Sequence, residues 1–242
     1  MRGLAVALGF LTRVPVGVRP ALPAAELSRA SPWFPLVGAL VGGLMSTVHG
    51  LAGLALPAGP ATVLALLAAV LVTGGLHEDG LADAADALGA HVDRARRLEI
   101  LHDARVGAHG ALAVAFALLL GYSVLAGLDG ERFARAAVAG HVLGRWSTLP
   151  LSLLPRCGAA RAGTLVEAGA RRALAGSVLA AALTLAASGP VACATALGVA
   201  VAVTAGGGAV AVRTLGGTNG DVFGAVNKVV EVAVYAAVAA AG

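Results

Sequence analysis

From Ala30 to His77 the sequence reads ASPWFPLVGALVGGLMSTVHGLAGLALPAGPATVLALLAAVLVTGGLH, 48 residues without Asp, Glu, Lys or Arg. A second stretch of this kind covers the 40 residues from Ala173 to Val212. Because about 20 apolar residues span a bilayer, each stretch is long enough for two membrane helices and a turn. The sequence therefore predicts a polytopic integral membrane protein. It excludes a soluble enzyme, a disordered tail and a disulfide-rich secreted domain.

The composition supports the same class of protein. The 242-residue chain is 58% hydrophobic and only 12% charged, whereas soluble domains carry about twice this charged fraction. Its formal charge is +4, but no basic cluster is interleaved with aromatic residues, so no nucleic-acid partner is expected. Cys157 and Cys193 are isolated and predict no disulfide framework. We expect an all-α transmembrane helix bundle that forms a single integral membrane domain over residues 1–242.

Charge-poor runs predict about seven helices, preceded by an N-terminal interfacial helix. The predicted runs are Pro35–Leu56, Ala61–Leu76, Ala111–Leu128, Ala134–Leu154, Ala173–Ala187, Val191–Val212 and Val222–Ala241. Pro57–Pro60 and Ser188–Pro190 are predicted to be tight turns, because a proline does not continue a preceding helix undisturbed. The helices on either side of each turn should therefore form hairpins.

The basic residues predict the orientation. With the N-terminus in the cytoplasm, 14 basic residues fall on the cytoplasmic side, Arg132 and Arg135 fall outside, and Arg145 lies within a span. This asymmetry satisfies the positive-inside rule. We expect a multi-pass protein of the cell inner membrane with its active site facing the cytoplasm. An acidic helical segment at about residues 77–109 should lie on that side.

An acidic cluster interrupts the apolar pattern in this segment. Asp79, Asp83, Asp86 and Asp93 are spaced by four, three and seven residues, which places them on one helical face at about 100° per residue. Carboxylates on one face repel each other unless a cation lies between them, and Mg²⁺ is usually held by one or two carboxylates with substrate phosphates. The alternative is an exposed acidic helix paired with the arginines at 94–97.

Two further segments carry polar groups suited to anions. Arg105, close to Asp103, could bind phosphate bidentately, or it could be a snorkelling arginine at a helix end. The glycine-rich loop 216–220 leads into a predicted helix and could offer backbone N–H groups to an anion. Asp221 follows this loop directly.

Polar residues also occur inside two of the predicted spans. Lys228 and Glu231 could form a simple i,i+3 ion pair. His141 and Arg145 lie one turn apart in the fourth span, where polar groups normally face a cavity or a partner. They are candidates of second rank.

The sequence resembles the cobalamin-5′-phosphate synthase family, whose members are also called adenosylcobinamide-GDP ribazoletransferases, nearly from end to end. The similar motifs are Phe10–Val16, Phe34–Gly38, Gly74–Asp83, Asp103–Gly107 and Thr214–Asp221. The sequence departs from the family pattern at Glu78, where an apolar residue is usual, and at Ala87, where glycine is common. Neither departure removes a candidate ligand.

The resemblance implies a phosphoryl transfer that requires Mg²⁺. Its substrates would be adenosylcobinamide-GDP and α-ribazole or α-ribazole 5′-phosphate, and its products adenosylcobalamin or its 5′-phosphate, plus GMP. A ribose hydroxyl attacks the phosphorus next to the cobinamide. The metal ligands would be Asp79, Asp83, Asp86 and Asp221, and the catalytic residues would be Asp93, Asp103 and Arg105, with Asp93 or Asp103 accepting the hydroxyl proton. Substrate contacts would come from Arg13, Arg105, His109, Arg145, Gly216, Gly217, Gly220, Asn227 and Lys228.

Two other functions are compatible with parts of this pattern. A CDP-alcohol phosphotransferase making phospholipids also has an Asp-rich cytoplasmic helix, but the aspartate and arginine spacing here does not match its longer signature. A cation-coupled transporter would need acidic residues near the middle of several spans, whereas the acids here gather on one side. Expected partners are the corrinoid nucleotide, α-ribazole and membrane lipid. A homo-oligomer and an association with other cobalamin-pathway enzymes are left open.

Overall fold

The computed structural model describes residues 2–17, 23–158, 166 and 168–241, and across these residues it is helical without a β-sheet. Arg19 and Arg161, which the orientation argument placed in the cytoplasm, lie outside the described residues. The helices are α1 (Arg2–Leu11), α2 (Ala24–Ala30), α3 (Phe34–Ala52), α4 (Ala58–Thr73), α5 (Leu76–Gly89), α6 (Arg94–Ile100), α7 (Ala108–Leu125), α8 (Gly130–Leu151), α9 (Gly169–Thr214) and α10 (Gly220–Ala241).

The predicted helical bundle is confirmed. Each predicted run overlaps a helix, with the fifth and sixth runs both in α9, and α1 is the N-terminal helix expected before them. Four helices are long and apolar enough to cross a membrane among the described residues, or five when α4 and α5 count as one broken span. The chain is therefore a helical membrane protein.

The turn at Ser188–Pro190 divides α9 into two helical halves. Gly189 has φ 76° and ψ 175°, outside the helical region. Cys193 Sγ lies 4.0 Å from the Ala181 carbonyl oxygen, although an uninterrupted helix would separate residues 12 apart by about 18 Å. The two halves of α9 therefore fold back on each other, as predicted.

Helix α8 forms the centre of the bundle and packs against α3, α9 and α10. Its contact with α3 depends on small residues, because a Cβ added at Gly38 would lie 2.2 Å from the His141 carbonyl oxygen. Gly42 makes an equally close approach to Val138. Glycine lets membrane helices approach in this way, so these positions serve packing.

The corner between α4 and α5 directs the acidic helix. Gly74 and Gly75 have φ of 70° and 72°, a left-handed conformation that suits glycine, and the two helix axes differ by 87°. Helix α5 then packs against α10, where a Cβ on Gly80 would lie 2.9 Å from the Asp221 carbonyl oxygen. The acidic helix is thus held against the first turn of α10.

Candidate active site

Asp79 and Asp221 line the same cavity. It has a volume of about 150 Å³, and α5, α8 and α10 contribute Asp79, Thr148 and Asp221 to its wall. Phe10 and Phe34 supply an apolar side. The prediction placed these two carboxylates in one site from chemistry and topology alone, and the fold brings them together.

A larger open cleft adjoins Asp79 on its other side. Its volume is about 750 Å³, and it is lined by Arg13, the corner at Gly74–Gly75, Asp79 and Val106. The Arg13 guanidinium lies against the corner, since a Cβ on Gly74 would be 2.1 Å from its Nε. The Arg13 backbone N–H donates to the Val72 carbonyl at 2.7 Å. The cleft therefore has both a cationic group and a carboxylate in its lining, and a contact from Arg13 to substrate stays a prediction.

Asp86 has a structural role at the start of α7. Its Oδ2 accepts from the Gly107 N–H at 2.7 Å, and its Oδ1 accepts from the Gly110 N–H at 2.9 Å. The two N–H groups belong to the first turn of a helix, which lacks intrahelical partners there. Asp86 thus ties α5 to α7, a function the face-of-helix argument did not foresee. Its role as a metal ligand stays a prediction.

A magnesium site needs only a small number of protein carboxylates. Across the part of the chain that the structure describes, no three His, Cys, Asp or Glu side chains are grouped closely enough to form an all-protein metal site. Mg²⁺ does not need one, because it is usually held by one or two carboxylates and substrate phosphates. Asp79 and Asp221 on one cavity wall meet that requirement. Asp83 lies one turn further along α5 and is half-buried.

Asp93 and Asp103, the predicted proton acceptors, both have partners. Asp93 caps α6 by accepting from the Arg96 N–H at 2.9 Å. Asp103 accepts hydrogen bonds from Arg105 Nε at 3.0 Å and from Arg105 Nη2 at 2.7 Å. These hydrogen bonds lower the pKa of Asp103 to about 2. A base with so low a pKa is weak at neutral pH. Their catalytic roles, and that of the exposed Arg105, stay predictions.

Two of the arginines after the acidic helix, Arg96 and Arg97, contact groups other than the carboxylates at 79, 83 and 86. Arg96 pairs with Glu99 at 2.5 Å. Arg97 donates to the carbonyls of Ala87 and Leu88, at the end of α5. This arginine therefore caps the carbonyl end of α5.

The glycine-rich loop before α10 differs from the predicted anion cradle. The Gly217 N–H donates to the Ala211 carbonyl and the Thr218 N–H to that of Pro155, at 3.3 and 2.8 Å. These two N–H groups are paired within the protein, and substrate contacts from Gly216, Gly217 and Gly220 stay predictions. Asn219 caps α10, since its Oδ1 accepts from the Val222 N–H at 2.9 Å. Asp221 is therefore not this cap, and the Asn219 Nδ2 donates to its Oδ2.

Arg94 is a cation near the site that the sequence did not single out. A Cβ on Gly216 would lie 2.0 Å from an Arg94 Nη atom, so the guanidinium covers this glycine. The pKa of the Cys157 thiol is raised, mainly by burial. The charge of Arg94 acts against this shift and the charge of Asp221 adds to it, so both charged groups lie near Cys157. His109, a predicted substrate contact, packs its ring on Gly89 at the end of α5. Nothing in the sequence distinguished Arg94 from its neighbouring arginines.

Two residues that were predicted to contact substrate, Arg145 and Lys228, belong to a network of charged side chains inside the bundle. Arg145 Nη1 lies 2.7 Å from Glu231 Oε2, and His141 Nδ1 lies 2.9 Å from the same oxygen. Lys228 Nζ lies 2.6 Å from Glu231 Oε1, so the predicted i,i+3 ion pair is confirmed. Lys228 and Arg145 are 6% and 1% exposed, and Asn227 is buried beside Gly144. Direct contacts from Arg145, Asn227 and Lys228 to substrate stay predictions.

The comparisons with known proteins agree on one family. Residues 3–239 match the family model described as cobalamin-5-phosphate synthase. A protein of Azorhizobium caulinodans is 38% identical over 240 residues, covering 94% of this chain and 91% of that protein. A protein of Ralstonia nicotianae is 36% identical over 239 residues, covering 96% and 93%. Both are named adenosylcobinamide-GDP ribazoletransferase.

A third relative matches more closely over a shorter region. A protein of Shewanella amazonensis with the same name is 47% identical over 143 residues, which are 58% of this chain and 55% of that protein. The chain thus spans about half the length of this relative in the alignment. No solved structure matches the chain.

Proposed function

The chain belongs to the cobalamin-5-phosphate synthase family, and we propose that it joins adenosylcobinamide-GDP to α-ribazole or its 5′-phosphate and releases GMP. The observation that supports this function best is the pairing of Asp79 and Asp221 in one cavity beside a cleft that contains Arg13. The similarity extends over nearly the whole chain for two relatives that carry the transferase name. We therefore set aside the CDP-alcohol phosphotransferase and transporter alternatives.

The reaction exchanges one phosphorus–oxygen bond for another. The ribose hydroxyl of α-ribazole attacks the phosphorus next to the cobinamide and loses its proton, while the bond to GMP breaks and GMP leaves with the electron pair. Phosphoryl transfer of this kind depends on positioning and charge neutralisation more than on covalent chemistry. The site accordingly needs cations near the diphosphate and a fixed framework around it.

The chain supplies the cations from two elements. Arg13 follows α1 and lines the cleft with Asp79, where its guanidinium is suited to bidentate binding of phosphate oxygens. Arg105 lies on the loop before α7 and is exposed at 88% of its side-chain area, so a phosphate can approach it from solvent. Asp103 orients this guanidinium through two hydrogen bonds.

Magnesium is part of the proposal. Asp79 and Asp221 would hold the ion, with Asp83 as a further ligand, and a bound Mg²⁺ would neutralise diphosphate charge. The Asn219 amide fixes one oxygen of Asp221 at 3.0 Å, and such a partner orients a ligating carboxylate. The α4–α5 corner and the close Gly80 contact with α10 set the placement of the two acids.

The orientation is proposed on the distribution of charge. Asp79 lines one cleft with Arg13 and Val106 and one cavity with Asp221, and Arg94 lies over Gly216. The site thus adjoins basic segments that the positive-inside rule assigns to the cytoplasm. The site would then bind its nucleotide substrates from the cytoplasmic side of the inner membrane.

A GMP-release assay on purified protein tests the function. Protein in detergent or liposomes is given adenosylcobinamide-GDP with α-ribazole, each substrate alone, and, with CMP release as the readout, a CDP-alcohol in place of the corrinoid nucleotide. GMP release should require both substrates and Mg²⁺. Turnover of the CDP-alcohol, or no GMP with both substrates present, would contradict the proposal.

A further inference from the structure

Lys228 and Glu78 form a buried ion pair between α10 and α5. Lys228 Nζ lies 2.7 Å from Glu78 Oε1, and the two side chains are 8% and 12% exposed. Glu78 is adjacent in sequence to Asp79, which lines the active-site cavity. The pair therefore joins the acidic helix to the helix that carries Asp221.

The pair is part of a larger network that extends to the central helix. Lys228 also contacts Glu231 at 2.6 Å, and Glu231 contacts Arg145 of α8 at 2.7 Å. Within this network two carboxylates face two permanent cations, so their charges balance. Buried charges are tolerated when they are paired in this way, and loss of one partner leaves a costly unpaired charge.

Close backbone packing makes the contact sensitive to position. Gly80 and Gly224 pack α5 directly on α10, with only 3.1 Å between a Cβ built on Gly80 and the Gly224 Cα. Glu78 and Lys228 lie within about one turn of these glycines on their own helices. A small shift of α5 along α10 would therefore change both the ion pair and the separation of Asp79 from Asp221.

We propose that Glu78 and Lys228 are positioning residues, which set the placement of Asp79 relative to Asp221 through their ion pair. This inference rests on the proposed function for its kinetic consequence only. It assigns Lys228 a role inside the protein in place of a direct contact with the phosphates. It also gives a reason for the glutamate at position 78, because its carboxylate is paired with Lys228.

The two single substitutions should differ in severity. Lys228→Met leaves Glu78 as a buried carboxylate without its cation, and Glu78 Oε2 already has no hydrogen-bond partner. Glu78→Leu leaves Lys228 with Glu231, so the remaining charge is still partly balanced. We expect kcat/KM for GMP release to fall about 10-fold or more in Lys228→Met and less in Glu78→Leu.

The double substitution separates positioning from substrate binding. Glu78→Leu/Lys228→Met removes both charges and replaces them with apolar groups of similar size, a change that is often tolerated. It should restore kcat/KM to within about threefold of the wild type. If the double variant stays as inactive as Lys228→Met, Lys228 contacts substrate and the proposal is overturned.

A second measurement does not depend on activity. Spin labels at Ala85→Cys of α5 and Val229→Cys of α10, with Cys157→Ser and Cys193→Ala, report the distance between the helices by pulsed electron paramagnetic resonance. The distance distribution should broaden or shift in Lys228→Met and return in the double variant. An unchanged distribution in Lys228→Met would also overturn the proposal.

Two controls complete the design. Glu99→Gln removes an exposed ion pair with Arg96 and should change neither readout. Phe133→Ala creates a cavity in the buried first turns of α8, so it should lower thermal stability but leave the label distance unchanged. If the wild type itself releases no GMP, the proposed function fails while the distance measurements still decide the positioning role.

Discussion

Asp221 of α10 lines the same cavity as Asp79 of α5, and its own helix is capped by Asn219. The side-chain cap of α10 is therefore Asn219 and not Asp221. Its carboxylate is held by the Asn219 amide, with Nδ2 donating to Oδ2 at 3.0 Å. This arrangement separates helix capping from the proposed metal chemistry and makes the two roles testable one at a time.

Asp221→Asn should weaken the response to Mg²⁺ while preserving the fold. Loss of a metal ligand or of a group that orients one typically costs about 10-fold or more. The measurement is a Mg²⁺ titration of GMP release with thermal unfolding of the same preparation. Asp129→Ala is the control for capping, because Asp129 caps α8 by accepting from the Arg132 N–H, and its loss should cost about 1 kcal/mol of stability without changing the Mg²⁺ titration. Superimposable titrations of Asp221→Asn and wild type would remove Asp221 from the metal site.

Asp79→Asn and Asp83→Asn should each reduce turnover about 100-fold or more, because each removes a negative charge proposed to hold Mg²⁺. The protein should remain folded in the membrane, as judged by its elution and unfolding temperature. GMP release is measured at saturating Mg²⁺ for both variants. Activity within a few-fold of wild type would make these acids ordinary surface residues.

Asp86→Asn tests the different role that the structure gives to the third acid. The amide has one acceptor oxygen, so the N–H of Gly107 or Gly110 loses its partner. An unmade hydrogen bond of this kind costs about 1–3 kcal/mol when buried, and the cost here should fall at the low end because Gly107 is exposed. Stability should decrease while the Mg²⁺ midpoint stays the same. A shifted midpoint with unchanged stability would restore Asp86 to the metal ligands.

The sequence was sufficient for the architecture because membrane helices are encoded by local composition. Each apolar run became a helix, and Gly189 broke α9 where the proline turn was predicted. The site was only partly predictable. Helical spacing placed Asp79, Asp83 and Asp86 on one face, but it could not show that Asp86 turns toward the N–H groups of α7.

The long-range partners of the charged residues were beyond the reach of the sequence. The pairing of Lys228 with Glu78 depends on the 87° corner between α4 and α5, which no spacing rule specifies. Arg94 lies over Gly216 for the same kind of reason. Local patterns indicated which residue types gather at this end of the bundle, whereas tertiary packing decided which of them meet.

The orientation can be checked with reporter fusions after Ala90 and Ala170. Both should report a cytoplasmic location, because 14 of the basic residues fall on that side in the predicted layout and basic loops are retained in the cytoplasm. A fusion after Leu128, in the connection between α7 and α8, is the control and should report the opposite side. A periplasmic signal after Ala90 would overturn the orientation and the cytoplasmic site together.

Asp103 provides the last test, on the identity of the proton acceptor. Its ion pair with Arg105 lowers the pKa of Asp103 from its ordinary value of 3.8 to about 2, so Asp103 is ionised throughout the range from about pH 5 to about pH 8. Folding lowers the pKa of Asp103. Any stabilisation from this pair is therefore fully present at a pH above the pKa of Asp103 in the unfolded chain, and it is lost as the pH falls through the pKa of Asp103 in the folded protein.

Asp103→Asn should therefore leave the shape of the pH profile of kcat unchanged in that range. We expect kcat to fall less than about 10-fold, since loss of a general base typically costs 100-fold or more, and we expect KM for the nucleotide substrate to rise as Arg105 loses the carboxylate that orients it. Arg105→Lys is the matched variant, because lysine keeps the charge but not the bidentate geometry. It should raise KM in the same way. A loss of about 100-fold or more in kcat for Asp103→Asn, with KM unchanged, would instead identify Asp103 as the group that accepts the hydroxyl proton.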